Sequence, residues 1–481
     1  MLNEYFKLEE HDSSVSREFF SGLTTFLSMS YILFVNPLIL SDTGMPIGGL
    51  FVATVLASFI CTLLMALYAN VPFAMAPGMG INTLVTYMFC IGLNFHWQEA
   101  LAITFLSGLL HIFLMATNMR KVLVKAMPKN FQYATGVGIG MMISYIGIKN
   151  AGFLEFMVSP DKYEITKSGM VVADAAGTVP ALVTIFTATQ ITAVIGLVTM
   201  LFLLTLEKKT GDSYGALLLG ILVATFVGIP LNVTQIGEID IFDIEAMFGI
   251  SQIAFSFFGS PGLLSLFESP IKILLTILTI SILLLTNIVD SVSTILGIGQ
   301  LEDAPVIDKE DRDNFENKKG LSAKLDKVLI ANSSGGIVSA FLGSSTTTTF
   351  CESVTGIAAG GRTGLTSLVV AILFLICLPF ANFFGRIPAA AVAPALIIAG
   401  FFLVFLVKNI SWQNFQDAIP AAFIVLIIPI TNSILDGVVA GYLAHIVIQA
   451  ALGNWKKVHP FIYCTFFAFA AIILVRSFLE I

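Results

Sequence analysis

Residues 341–366 read FLGSSTTTTFCESVTGIAAGGRTGLT and place a carboxyl, Glu352, among threonines and glycines between two strongly apolar stretches. A second carboxyl, Asp290, ends the run ILLTILTISILLLTNIV, which carries no charge after Lys272, and the next acid is Glu302. An acid in apolar surroundings is costly and is a functional hypothesis by default, because it can accept N–H donors from a solute or take up a proton. Between the two acids, Ser344 to Phe350 is rich in β-branched residues, which favour extended backbone, so a short strand is predicted there. The following ESVTGIAAGG reads as a half helix with Glu352 in its first turn. Earlier in the chain, VPFAMAPGMGINTL (71–84) has the same form: Val71 to Pro77 supply a partner strand, and Gly78, Gly80 and Asn82 open a second half helix. Two facing helix N-termini would offer unpaired N–H groups to a bound solute. The plainer readings make the threonines a surface loop, Asp290 a structural acid and Asn82 packing glue. Against the first, Glu352 lies ten residues before Arg362, too deep for a surface loop.

Other chemistries lack their groups. His11, His96, His111, His445 and His459 are scattered, and neither HExxH nor GxSxG occurs, so an intramembrane enzyme is not indicated. Cys61, Cys90, Cys351, Cys377 and Cys464 stand singly without CxxC spacing, which suggests neither a metal site nor a disulfide framework. No cofactor is expected. One broken pair of spans offers a site and not the continuous polar path a channel needs.

The elements that hold these residues must be membrane helices. The 481-residue chain is 57% hydrophobic and 11% charged, with mean hydropathy +0.92, against roughly 25% charged in a soluble protein. Its net charge of −7 is modest and no basic cluster is interleaved with aromatics, so nucleic acid is not an expected partner. The first 16 residues are polar and acidic, unlike a secretory signal. Fourteen windows of spanning length run from 17–40 to 433–452, with the third at 72–92, the sixth at 180–206, the eighth at 270–299 and the tenth at 345–360. Lys and Arg gather in alternate loops, around Arg120 to Lys129, Lys208, Lys309 to Lys324, Arg362, Lys408 and Lys456, which predicts a cytoplasmic N-terminus. The apolar run 460–478 is left as spanning, interfacial or packed on the bundle. Fourteen is twice seven, and an odd repeat reverses orientation. The third and tenth spans are both interrupted, and MPKNFQYATGVGIG (127–140) and RIPAAAVAPALIIAG (386–400) both open fifth spans beside a proline. Matched interruptions of this kind point to a transporter site. The expected fold is an all-α polytopic membrane protein of about 14 spans as two inverted repeats of seven, with short half-strands in spans 3 and 10.

The segments GLTTFLSMSYILFVNPLIL, YANVPFAMAPGMGIN, MPKNFQYATGVGIGMMISYIGIKNAG and GSSTTTTFCESVTGIAAGGRTGLT closely resemble the adenine/guanine/hypoxanthine permease branch of the nucleobase:cation symporters, relatives of the xanthine and uracil permeases. The likeness covers nearly the whole chain. It implies a core domain, residues 1–118 and 270–384, moving against a gate domain, 119–269 and 385–452, with 453–481 unassigned. It also implies proton-coupled uptake of purine bases across the cell membrane. Asp290 and Glu352 match the acids that meet substrate and carry the coupled proton; Asn82, Gly80, Thr349, Phe350 and Cys351 complete the expected substrate set. A homodimer in lipid is the expected assembly. Two departures adjoin this set: Asp290-Ser-Val-Ser-Thr stands for the usual Asp-Thr-x-Gly-Thr, and Gly80-Ile-Asn-Thr-Leu-Val for Gly-Leu-Asn-Ala-Tyr-Phe. They bear on which base is taken. The chemistry fits a purine, whose edge alternates N–H donors with N or O acceptors, because a carboxylate can pair with two adjacent donors. An anion carrier of the related sulfate class fits less well, since two deep acids would repel its solute.

Overall fold

The computed structural model describes residues 2–117, 129–158, 163–165, 171–173, 178–182, 187–210, 215–234, 249–299, 324–350, 352–380, 387–431, 434–454 and a few positions between 458 and 467. The 460–478 run and the 300–323 loop therefore lie wholly or mostly outside the described residues.

A short helix α1 (Leu2–Phe6) precedes α2 (Val15–Met29), whose start is capped by Ser14 accepting from the Arg17 N–H at 3.3 Å. The first span then breaks at Ser30 and Tyr31 and resumes as α3 (Ile32–Ser41). Pro37 inside α3 cannot donate to the preceding turn. Next come α4 (Ile47–Leu64), β1 (Met75–Pro77), α5 (Met79–Thr83) and α6 (Trp97–Ala116). Pro77 and Gly78 end the strand, and Gly78 opens α5 from an extended conformation.

The middle of the chain holds α7 (Lys129–Asn150), strands β2 (Leu154–Val158), β3 (Tyr163–Ile165), β4 (Val171–Ala173) and β5 (Thr178–Leu182), then α8 (Ala188–Thr210) and α9 (Ala216–Gly228). Here two expectations are corrected. The sixth span begins at Ala188 and not at 180, because Thr178 to Leu182 is β5, paired antiparallel with β2. The expected all-α fold also carries two small antiparallel pairs, β2–β5 and β3–β4, beyond the half-strands foreseen. Their β-branched content, as in TVPAL and VVA, favours strand over helix.

The rest comprises α10 (Pro270–Gly299), α11 (Lys324–Ser333), α12 (Gly335–Leu342), β6 (Thr347–Thr349), α13 (Ser353–Ala358), α14 (Gly364–Ile376), α15 (Ala389–Val404), α16 (Phe415–Thr431) and α17 (Ile434–Ala451). Among the described residues six helices, of 19 to 27 residues, are long and apolar enough to cross a membrane. Helices α3, α4, α10, α11 and α12 pack on β1 and β6 with α2, α6 and α14 packed outside them, whereas α7, α8, α9, α15, α16 and α17 pack mainly on one another. In the second group α7 and α15 cross at glycines. A Cβ on Gly140 would stand 2.5 Å from the Gly400 carbonyl oxygen, and one on Gly400 would stand 2.4 Å from that of Gly140. Only glycine permits that approach, the device by which membrane helices gain close packing.

The hinge between α13 and α14 is held by one buried acid. Glu18 is fully buried, and its carboxylate accepts from the Ser13 hydroxyl, the Arg362, Thr363 and Thr366 N–H groups and the Thr366 hydroxyl. Arg362 in turn donates to the Ile357 and Gly361 carbonyls at 2.6 and 2.8 Å, closing the end of α13. Glu18→Gln puts an amide NH₂ against these donors. With each buried group left unpaired costing about 1–3 kcal/mol, the variant is expected to lose roughly 2–5 kcal/mol. A thermal melt of purified protein in detergent checks this, and an unchanged melting temperature would contradict the clamp.

Candidate functional site

Strand β1 pairs antiparallel with β6 in the register Met75↔Thr349, Ala76↔Thr348 and Pro77↔Thr347. The ladder is extended by Gly78 N–H to the Thr346 carbonyl at 3.1 Å and Phe350 N–H to the Ala74 carbonyl at 2.9 Å. A ribbon of two strands leaves an unpaired edge on each side, and within a membrane those groups need protein partners. Side chains supply them. Thr62 bonds both the N–H and the carbonyl of Met75, each at 2.9 Å, and Ser353 accepts from Ala74 N–H at 3.0 Å. On the other edge Ser339 accepts from Thr347 N–H at 3.1 Å, and Asn332 accepts from Thr349 N–H at 2.8 Å.

Alternation along β6 sends successive threonines to opposite faces. Thr347 donates to the Cys61 sulfur at 3.0 Å and the Thr349 hydroxyl to Asn332 Oδ1 at 2.8 Å, so these two face the supporting helices. Thr348 faces the other way, toward Asp290 of α10. Asp290 sits in the second half of α10 and is an exposed residue. Asn332 ties the arrangement together, since its amide also donates to Ser291, the neighbour of Asp290.

Four residues after Thr348, Glu352 is the N-cap of α13 with φ −60° and ψ −16°, but its side chain makes no capping bond. Its carboxylate instead accepts from the Tyr31 hydroxyl at 2.5 Å, a charge-assisted bond that joins the break in the first span to the tenth. Facing these, Asn82 is fully buried in α5 and its Oδ1 accepts from Ser345. Asn82 Nδ2, Thr346 Oγ1 and both amide atoms of Asn287, one helical turn before Asp290, have no hydrogen-bond partner among the described residues.

The structure thus brings Asp290, Glu352 and Asn82 around one strand crossing. Gly80 has room: a Cβ there would meet only Ile139 of α7, at 3.4 Å and beyond. Phe350 is buried and its N–H is spent on the ladder. Thr349 points to Asn332 and away from Asp290. Cys351 lies outside the described residues. Sequence reasoning missed Tyr31, Asn332 and Thr348. The strand parity could have selected Thr348 over Thr349, whereas lone polar residues in apolar helices give no such signal. Among the described residues no cluster of His, Cys, Asp and Glu could hold a metal ion.

A family model described as a permease family matches residues 16–440. The chain belongs to this permease family. It is a multi-pass membrane transporter and not an enzyme. The guanine/hypoxanthine permease PbuO of Bacillus subtilis is 33% identical over 98% of this chain and 100% of its own length. The adenine permease AdeP of Escherichia coli is 26% identical over 96% of this chain and 93% of its own. Among solved structures, the transmembrane domain of a cyanobacterial bicarbonate transporter, BicA, superposes with a TM-score of 0.56 at 18% identity, over 90% of this chain and 97% of that one. That likeness gives this permease the same fold.

Proposed function

We propose that this permease imports purine nucleobases, adenine, guanine or hypoxanthine, by proton symport. The observation that supports the reading most strongly is that two acids converge on one segment: Asp290 beside Thr348 of β6, and Glu352, four residues after Thr348, at the start of α13. Relatives named as guanine/hypoxanthine and adenine permeases favour a purine. In this reading Glu352 accepts adjacent N–H donors of the base, Asn82 and Asn287 offer amide groups to its acceptors, and Asp290 carries the proton. The fold also serves a bicarbonate transporter, but two acids at one crossing oppose an anion.

The same proposal takes residues 1–118 and 270–384 as a core that moves against a gate of 119–269 and 385–452. Denser packing within each group than between them supports it. Two inverted repeats of seven spans are supported by self-contacts between counterparts: β1 on β6 from spans 3 and 10, and Gly140 on Gly400 from spans 5 and 12. A homodimer in the cell membrane with a cytoplasmic N-terminus completes the reading. Competitive uptake of labelled adenine, hypoxanthine, guanine, xanthine and uracil tests the substrate class, with the purines expected to compete and uracil expected to fail. For topology, a cysteine placed between residues 300 and 326 is expected to resist an impermeant thiol reagent added outside the cell; labelling there would overturn the orientation.

A further inference from the structure

We propose that Tyr31 is a positioning residue of the base site, its hydroxyl setting the direction in which Glu352 presents its carboxylate. The inference rests on the reading of Glu352 as the acceptor of the base. Tyr31 is completely buried and sits between α2 and α3, where the first span is interrupted. Its backbone is fixed there. The Tyr31 carbonyl accepts from the Phe34 and Val35 N–H groups at 3.1 Å each, and the Ser30 carbonyl accepts from Leu33 N–H at 3.1 Å. The interruption is thus a closed turn whose tyrosine ring belongs to the main apolar cluster, leaving the phenol oxygen as its polar end.

That oxygen meets Glu352 Oε1 at 2.5 Å. Its own helix does not orient Glu352: the side chain of this N-cap makes no capping bond to α13. A glutamate has three side-chain torsions, and an acceptor that must meet a flat base edge gains from having them set before the base arrives. A carboxylate has about four acceptor sites, of which the phenol takes one. The contact also links the first span to the tenth across 321 positions of sequence, so the turn at Tyr31 and the start of α13 act as one unit around the site.

Tyr31→Phe removes one oxygen and keeps the ring. Losing one bond to a charged acceptor is expected to raise the KM and the Kd for hypoxanthine or guanine about tenfold, with the maximal rate held within about twofold because transport steps after binding do not use the bond. A purely structural role would lower the yield of folded protein and the rate without a selective change in KM. The second comparison uses Glu352→Asp, which draws the carboxylate back by one methylene and out of reach of the phenol. In that background Tyr31→Phe is expected to add no further loss, the non-additivity of two groups that share one interaction. Should Tyr31→Phe fold poorly, Tyr31→Met fills a similar volume without a hydroxyl and is read by the same two measurements. Unaltered KM in Tyr31→Phe, or a full additional loss in the Glu352→Asp background, overturns the positioning role while leaving the base reading in place. Wild-type protein that binds no purine overturns the base reading and this inference with it.

Discussion

Glu352→Gln is expected to abolish purine binding. The carboxylate receives the Tyr31 hydroxyl at 2.5 Å and, in the proposed complex, the N–H edge of the base. An amide has one acceptor oxygen where the carboxylate has two and carries no charge. Whichever way it turns, either the Tyr31 hydroxyl has to turn its hydrogen away or the base N–H meets another donor. Bonds to a charged group contribute roughly 1.5–3 kcal/mol each, so the loss of this partner weakens binding by about 100-fold or more. The fold is expected to survive, because the ladder between β1 and β6 uses backbone groups and the side chains of Thr62, Ser339, Asn332 and Ser353 but not Glu352. Saturation binding of labelled hypoxanthine to purified variant protein with an unchanged melting temperature is the check, and wild-type affinity would remove Glu352 from the site.

The second large effect separates binding from coupling. Asp290→Asn fixes a neutral group where the account has the proton ride. Asparagine keeps the shape, so the packing of α10 on β6 persists. Substrate binding and exchange of labelled for unlabelled base are expected to remain, while uphill accumulation driven by an imposed proton gradient falls to simple equilibration. Proteoliposomes with a pH gradient, assayed in parallel for accumulation and for counterflow, separate the two. Accumulation at the wild-type level would move the coupling elsewhere, with Glu352 the first alternative.

Much of this architecture was legible before any coordinates. Four consecutive threonines beside Glu352 called for extended backbone, and β6 is there; Pro77 and Gly78 called for a break, and β1 ends and α5 begins there. Asp290 reads as deep because nothing charged precedes it for a full span, and it lies in α10, packed on β6. Finer geometry was harder to see. Which threonine faces Asp290 depends on strand parity, and the parity is set by the long-range register Ala76↔Thr348, which no local pattern encodes. Tyr31 and Asn332 are single polar residues in apolar stretches, where composition cannot distinguish a site partner from packing. Both are revealed by the bonds they make to segments distant in sequence. A start of the sixth span at residue 180 fails because the apolar, β-branched stretch from Thr178 to Leu182 reads equally as buried helix or strand, and pairing with β2 decides for strand. The clamp at Glu18 had a similar cause: an acid at the mouth of a first span looks like an ordinary surface charge until its donors arrive from Arg362, Thr363 and Thr366.

The central claim, that the crossing of β1 and β6 binds a purine base through Glu352, is tested most directly by competition binding on purified protein. Labelled hypoxanthine is measured against unlabelled guanine, adenine, xanthine, uracil and bicarbonate, on the wild type and on Glu352→Gln side by side. The account predicts saturable binding to the wild type, displacement by guanine or adenine and not by bicarbonate, and no saturable binding to the variant. Displacement by bicarbonate, or equal binding to both proteins, would contradict it.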